Sequence, residues 1–468
     1  MLVRFVHAAP EAPARCGNAS FILRSCARVG PRLTVSSMAQ ARKNAHPTRA
    51  PAFAPVLACI GALLILPACA RVTYKVEHCS GVSEPQFART MGNLLGPPLV
   101  EGNQVDTLVN GDEIFPAMLD AIRSAQRSIT METYIYWSGD VGHQFTQALA
   151  ERARAGVKVH VIVDAVGSAS LNKDDLEALH DSGAGVALYH ALAWYDALNS
   201  AWKLNNRTHR KLLVIDGRVG FIGGVGIADE WTGHAQDERH WRDNHYRVTG
   251  PIVAQLQGAF MDNWMESTGE VLCDEAYFPA IERAGPYTAQ VFKSSYRGGN
   301  DSMHLMYLLS FAAARRSIRL ATPYFLLDDV TEQTLLDARK RGVHIHVILP
   351  GPHMDEPLLQ RASRAQWGDL LRAGVRIYEY QPTMYHTKLL IVDRLWTSIG
   401  SSNLDPRSFG LNCEANLNVL DHDFAASQEE LFDDDLRHCK EVTYEEWQHR
   451  SILDRIFEPL ESLLGPQM

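Results

Sequence analysis

A sixteen-residue stretch that occurs twice limits this chain to a small set of architectures. Residues 209–224 read HRKLLVIDGRVGFIGG and residues 386–401 read HTKLLIVDRLWTSIGS. His, Lys, Leu, Leu, Asp, Ile and Gly coincide at an offset of 177. Two upstream blocks repeat as well: 125–129 (AQRSI) matches 314–318 (ARRSI) at an offset of 189, and 155–163 matches 341–349 at 186. Three blocks in one order with slowly drifting offsets mean two homologous lobes separated by small insertions and deletions.

Each lobe carries the same coarse pattern. A helix over 114–125 places Met118, Ile122 and Ala125 on one face, and a strand follows at 128–134, with its counterpart at 317–324. A second helix, 141–155 or 330–341, stops at Gly156 or Gly342, residues suited to the position just past a helix end. An apolar, β-branched strand comes next, and then the His-x-Lys strand. Helices alternating with short apolar strands predict α/β layers. The acidic stretch 421–435 reads as a solvated helix or loop.

The amino-terminal region reads as targeting. Residues 55–68 (PVLACIGALLILPA) form the longest apolar run, and Arg42, Lys43 and Arg49 precede it. Fourteen residues are too few for a comfortable membrane span, which takes about 20, but suit a secretory signal. Met38 is a natural start, and Leu66-Pro67-Ala68-Cys69 resembles a lipobox with Cys69 as the lipidated residue. An uncleaved anchor and a buried apolar segment are the alternatives. The chain carries 45 basic and 54 acidic residues; beyond residue 68 the balance is 37 against 53, a net −16. A body that acidic argues against a dedicated nucleic-acid binder and still leaves room for a local cationic pocket. Of eight cysteines, Cys16, Cys26 and Cys59 fall in the leader. Cys79, Cys273, Cys413 and Cys439 show no zinc-ligand spacing; one disulfide among them is open, with the pair unassigned.

The chemistry lies in the doubled His-x-Lys. Residues i and i+2 of a strand share a face, so His209 and Lys211 point together, as do His386 and Lys388. A single such pair is explained by a core histidine and a snorkelling lysine. Two pairs at equivalent places, each with Asp at +7 and Gly at +14, are not. Burying two lysines costs several kcal/mol each unless they meet an anion, so both pairs are expected to converge on one phosphate.

The pattern H-x-K-x4-D-x6-G-[GS] resembles the signature of the phospholipase D superfamily. The second copy continues Ser402-Asn403-Leu404-Asp405-Pro406-Arg407-Ser408 and then Asn412-Cys413-Glu414; the first is followed by Gly224-Val225-Gly226-Ile227-Ala228-Asp229-Glu230-Trp231. These extensions are most similar to bacterial cardiolipin synthases, over about residues 105–465. The resemblance implies an α/β fold of two homologous lobes, each a mixed β-sheet flanked by helices, packed face to face around the active site. The expected boundaries are a targeting segment 1–69, a linker 70–104, lobe 1 over 105–285 and lobe 2 over 286–468.

For the site, the resemblance implies a covalent phosphohistidine, with His209 as nucleophile and His386 as acid and base, though a near two-fold site allows the reverse. Lys211, Lys388 and Asn403 would hold the phosphate oxygens; the first copy has Gly226 where the family often has Asn. Asp216 and Asp393 complete the catalytic motif, although their odd parity to the histidines favours closing a turn. A carboxylate some thirty residues beyond each histidine sets its tautomer in this superfamily, and Asp243, 34 beyond His209, and Glu414, 28 beyond His386, fit that place. Ser401 is either a phosphate donor or a turn residue. Tyr134 and Tyr324, at near-equivalent strand ends, are expected on the site floor, with packing as the alternative. The aromatics of 189–202 read equally as an acyl-chain entrance or as core.

No cofactor and no metal ion is expected, and the partners are phospholipids, phosphatidylglycerol first, and a membrane surface. Both motifs in one chain predict a monomer, and the leader predicts a periplasmic, membrane-associated lipoprotein or anchored protein. The expected reaction is phosphatidyl transfer to form cardiolipin. Hydrolysis by a phospholipase D, a nuclease, and an inactive lipid-binding lipoprotein are the rivals.

Overall fold

Seven strands are laid down twice, in the same order, and the second set continues the first. We describe the chain from a computed structural model, in which residues 74, 76, 79–191, 205–295 and 302–450 are described. All of them belong to one unit, Val72–Met468. The lipobox with Cys69 and most of the aromatic stretch, including Trp194, Tyr195 and Trp202, lie outside the described residues.

Lobe 1 runs α1 (Pro85–Leu95), β1 (Val100–Val109), α2 (Asn110–Ser124), β2 (Ser128–Thr133), α3 (Asp140–Arg154), β3 (Lys158–Asp164), α4 (Lys173–Asp181), β4 (Gly185–Tyr189), β5 (Leu212–Ile215), β6 (Val219–Gly223), β7 (Asn244–Thr249) and α5 (Val253–Thr268). Lobe 2 runs β8 (Tyr287–Ser294), α6 (Ser302–Ala313), β9 (Ser317–Ala321), α7 (Asp329–Lys340), β10 (His344–Pro350), α8 (Pro357–Arg372), β11 (Arg376–Tyr380), β12 (Leu389–Val392), β13 (Trp396–Gly400), α9 (Pro406–Gly410), β14 (Glu414–Leu420), α10 (His422–Leu436), β15 (Cys439–Val442) and α11 (Tyr444–Gln448). Gly156 and Gly342 follow α3 and α7 at φ +90°, the left-handed conformation that ends a helix.

The strand order is β15-β11-β10-β9-β12-β13-β14-β8-β1-β7-β6-β5-β2-β3-β4. Either side of the β8–β1 contact the order mirrors itself, with β1 matching β8, β7 matching β14, and so outward. Within each lobe the three outer repeat strands are parallel and the rest antiparallel, so each half is mixed as expected. A single sheet of 15 strands was not foreseen: the antiparallel β1–β8 pair joins two sheets that the repeat alone treats as separate.

Residues 70–104, expected as a linker, hold α1 and half of β1. Phe87 of α1 packs edge-on against Trp396 of β13, ring centroids 5.0 Å apart, which makes this stretch part of the folded body.

The four residues of β5 are all buried, and they alternate in destination. Leu213 and Ile215 enter the lobe 1 core with Ile114, Met118 and Phe145. Leu212 and Val214 enter a second core shared with lobe 2 residues Leu389, Ile391, Leu417 and Val419. The lobes therefore face each other across a common apolar layer, which α5 and α10 help to fill. A strand covered on both faces has no polar alternation, which is why KLLVID and KLLIVD read as continuous apolar runs.

The acidic stretch 421–435 is α10, but it is not wholly solvated. Asp435 is buried and takes two hydrogen bonds from Arg242 of lobe 1, 2.9 and 3.0 Å. Gln428 accepts from the Tyr246 hydroxyl at 3.0 Å. No disulfide joins Cys79, Cys273, Cys413 or Cys439. Among the described residues no helix is long and apolar enough to cross a membrane.

Candidate active site

The His-x-Lys segments lie just ahead of β5 and β12, and backbone pairing to the opposite lobe holds each in place. The His209 N–H donates to Cys413 O at 2.9 Å and the Cys413 N–H to Arg207 O at 2.9 Å. Likewise the His386 N–H donates to Arg242 O at 2.8 Å and the Arg242 N–H to Met384 O at 2.9 Å. Each histidine thus lies beside the residue preceding a carboxylate of the other lobe.

The side chains follow the backbone. His209 Nδ1 is 3.0 Å from both oxygens of Glu414, and His386 Nδ1 is 2.7 Å from Asp243 Oδ2. Asp243 and Glu414 are the two carboxylates expected, but they are exchanged. Each orients the histidine of the other lobe, not the one it follows in sequence. A carboxylate accepting the Nδ1–H fixes that tautomer and leaves Nε2 for chemistry. Burial would raise both carboxyls, but the histidine rings, the buried lysines and further hydrogen bonds together hold them below their ordinary values. Burial pushes His209 down to about 4 against the pull of Glu414, and burial with Lys388 pushes His386 down to about 3. Both rings are therefore neutral near pH 7, the form a nucleophile needs.

Lys211 Nζ donates to His209 O at 2.8 Å, and Lys388 Nζ donates to His386 O at 2.7 Å. Lys388 Nζ also lies 3.0 Å from each ring nitrogen of His386. Burial lowers Lys211 to about 7 and Lys388 to about 8. Burial outweighs the carboxylates around both ammonium groups, so an anionic ligand would stabilise their charged forms. The glycine at +14 has a physical reason. The pairing Leu212↔Ile222, carried one residue back, sets Lys211 opposite Gly223, which pairs with His245. A Cβ on Gly223 would stand 2.5 Å from His245 Nδ1.

One cavity of about 660 Å³ is lined by His209, Lys211, His386 and Asn403 together. Tyr134 and Tyr324 line it as expected. Tyr134 meets the His209 ring edge-on, centroids 5.3 Å apart, and Lys211 Nζ lies 5.4 Å from the Tyr134 ring centre. Tyr324 donates to Asp355 at 2.7 Å.

Three expectations need correction. Asp216 and Asp393 lie away from the cavity: Asp216 accepts from the N–H groups of residues 126, 127 and 128, and Asp393 from those of 315, 316 and 317. Both sit at positive φ, 52° and 54°, and hold the turn before the first parallel strand of each lobe. They are structural, as their parity indicated, and not catalytic. Ser401 does not reach the cavity either; its hydroxyl donates to Glu414 Oε2 and steadies that carboxylate.

With this geometry in place, the chain was compared with known proteins. The model of the family described as "Cardiolipin synthase, PLD-like domain" matches residues 118–264 and 308–436, one segment in each lobe. The chain belongs to that family. Cardiolipin synthase 2 of Bacillus anthracis is 36% identical over 364 residues, covering 77% of this chain and 70% of that one. Cardiolipin synthase A of Pseudomonas fluorescens is 32% identical over 378 residues, covering 81% and 78%. A crystal structure of phosphatidylserine synthase from Haemophilus influenzae shares the fold, with TM-score 0.63 and 15% identity over 82% of this chain and all of that one.

Several side chains of this cardiolipin synthase family site escaped the sequence reading. Trp231 Nε1 donates to Asp243 Oδ2 at 3.2 Å, and Ser408 Oγ to Glu414 Oε1 at 2.8 Å. The two positions differ by 177, so the repeat itself could have found them. Gly224 stands where lobe 2 has Ser401, and a Cβ there would come 2.6 Å from Asp243 Oδ2. Thus one lobe steadies its carboxylate with an indole and a glycine, the other with two hydroxyls. Trp231 and Trp241 flank His386 at 5.3 and 5.5 Å between ring centroids. Arg207 is fixed by Asp164, with Nε 3.0 Å from each oxygen, and Arg407 donates to Asn205 across the lobes at 3.0 Å. Asp405 of the second motif's continuation adds a carboxyl to the lining, as do Asp355 and Glu356, which no motif announced.

Proposed function

We propose that this chain is a phosphatidyltransferase that forms cardiolipin by phosphodiester exchange. The observation that carries the reading is that His209, Lys211 and His386 of the two buried His-x-Lys segments line a single cavity, each imidazole set by a carboxylate. The relatives named as cardiolipin synthases supply the lipid class.

The chemistry follows from a phosphodiester being an anion, which repels an anionic attacker and accepts a neutral imidazole. His209 Nε2 attacks phosphorus while His386, which takes up a proton on Nε2 as the phosphate anion binds beside it, gives that proton to the departing alkoxide, leaving a phosphatidyl group bonded to nitrogen. His386 then takes the proton of an incoming hydroxyl, whose oxygen displaces the phosphorus–nitrogen bond. Lys211, Lys388 and Asn403 stabilise the charge that builds on the non-bridging oxygens. Phosphatidylglycerol serves as donor and as acceptor, and one chain suffices because both segments belong to it.

The test is to incubate the purified protein with vesicles of labelled phosphatidylglycerol. Cardiolipin with release of glycerol is the expected outcome; phosphatidic acid as the sole product would show a hydrolase instead. We further propose that residues 38–69 direct the protein out of the cytoplasm and that Cys69 carries a lipid, a reading supported by the apolar run and lipobox-like sequence. Cys69→Ser should then release the protein from membranes; unchanged fractionation would contradict it.

A further inference from the structure

The two lobes repeat each other closely around the histidines, and they part company at two positions in the cavity wall. By the offset of 177, Asn403 corresponds to Gly226 and Asp405 to Ala228. Lobe 1 therefore offers no polar side chain where lobe 2 offers two. Both Asn403 and Asp405 line the cavity. Leu404 between them bridges to Phe325 and packs into the lobe 2 core, so alternation turns its two neighbours the opposite way, toward the cavity.

Both are nearly enclosed, 3% and 6% exposed. Asn403 Oδ1 is buried and has no hydrogen-bond partner among the described residues. An orphaned buried acceptor costs about 1–3 kcal/mol, so a donor from a ligand is the natural way to satisfy it. Asp405 caps α9 by accepting the Ser408 N–H at 2.8 Å. Ser408 Oγ in turn holds Glu414, so this wall is tied through one residue to the carboxylate that orients His209. Burial pushes the Asp405 carboxyl up to about 6, so above that pH it is an anionic acceptor facing the same cavity. His386 is flanked instead by the indoles of Trp231 and Trp241, with Glu230 next to them in the lining.

We propose that Asn403 and Asp405 form a subsite for the hydroxyls of a polyol headgroup, such as the vicinal diol of a glycerol, on the lipid that leaves or attacks. This rests on the phosphatidyltransferase reading and adds a reason for its choice of acceptor. Two acceptors two residues apart in the lining of one cavity can take two hydroxyl donors from one molecule. A mono-alcohol supplies one donor. The negative charge of Asp405 also disfavours a second phosphate at that spot, so the hydroxyl end of the acceptor enters in preference to its anionic end.

The test is a competition from one covalent intermediate. Purified full-length protein is given vesicles of unlabelled phosphatidylglycerol with equal isotope-labelled glycerol and 1-propanol, and the ratio of isotope-labelled phosphatidylglycerol to phosphatidylpropanol is read. That ratio is independent of how fast the intermediate forms. The wild type should favour glycerol. Asp405→Asn and Asp405→Ser, both able to keep the helix cap, should lower the preference about tenfold, the size of one hydrogen bond of about 1.4 kcal/mol. An unchanged ratio in both variants would overturn the subsite while leaving the transferase reading intact. A wild type that makes neither transfer product would instead overturn the transferase reading.

Discussion

The exchanged carboxylates make the sharpest statement at the level of single residues. Because Glu414 orients His209 and Asp243 orients His386, Glu414→Gln should disturb the ring of His209 and leave that of His386 unmoved. Asp243→Asn should do the opposite. Imidazole nitrogen NMR reads this directly, and each substitution should lower kcat by about 10²–10⁴, the range for losing a tautomer-setting carboxylate or other outer partner. The lysines give a pH dependence with a definite sign. A buried lysine is charged below its pKa, and burial lowers Lys211 to about 7 and Lys388 to about 8. The ammonium groups that attract phosphate are thus present at lower pH and lost as pH rises through 7 and 8. We expect kcat/KM, which reports the free enzyme, to fall on that alkaline side, first as Lys211 loses its proton, and Lys211→Arg to carry the start of the fall to higher pH. The identities of these residues were readable from the doubled motif. Their pairing was not, because an offset counted along the chain names a residue but not the lobe it reaches.

At the level of elements, the strands and helices of the repeat were legible from periodicity, since each is apolar on the faces that the layers cover. What escaped was the work of elements whose composition looks bland. Helix α10 reads as acidic and solvated, yet its last turn buries Asp435 against Arg242, one residue before the carboxylate that orients His386. The Tyr385 hydroxyl joins the same carboxyl at 2.9 Å. Composition cannot show this, because the partner lies 193 residues away. Arg242→Ala leaves a buried charge unpaired, so it should lower unfolding free energy by about 3–5 kcal/mol in urea titrations. It should also reduce turnover, through the backbone pair that seats His386. A loss of stability with wild-type turnover in the folded fraction would detach α10 from the site.

At the level of the whole molecule, duplication explains the design: two lobes related by the β1–β8 seam each lend a histidine segment to the other's carboxylate strand. Neither lobe holds a complete site. The sequence made the two lobes and their convergence legible, whereas the seam depends on how β1 and β8 register, which no repeat encodes. The claim that both lobes serve one phosphorus atom is tested by counting. Purified protein is reacted with labelled phosphatidylglycerol, quenched, and the phosphatidyl groups bound to nitrogen are counted per chain, in wild type and in His209→Ala and His386→Ala. One shared site predicts no more than one adduct per chain, and a loss of turnover of about 10³-fold or more in each variant. Two adducts per chain, with about half the turnover surviving in either single variant, would mean two independent sites and would contradict it.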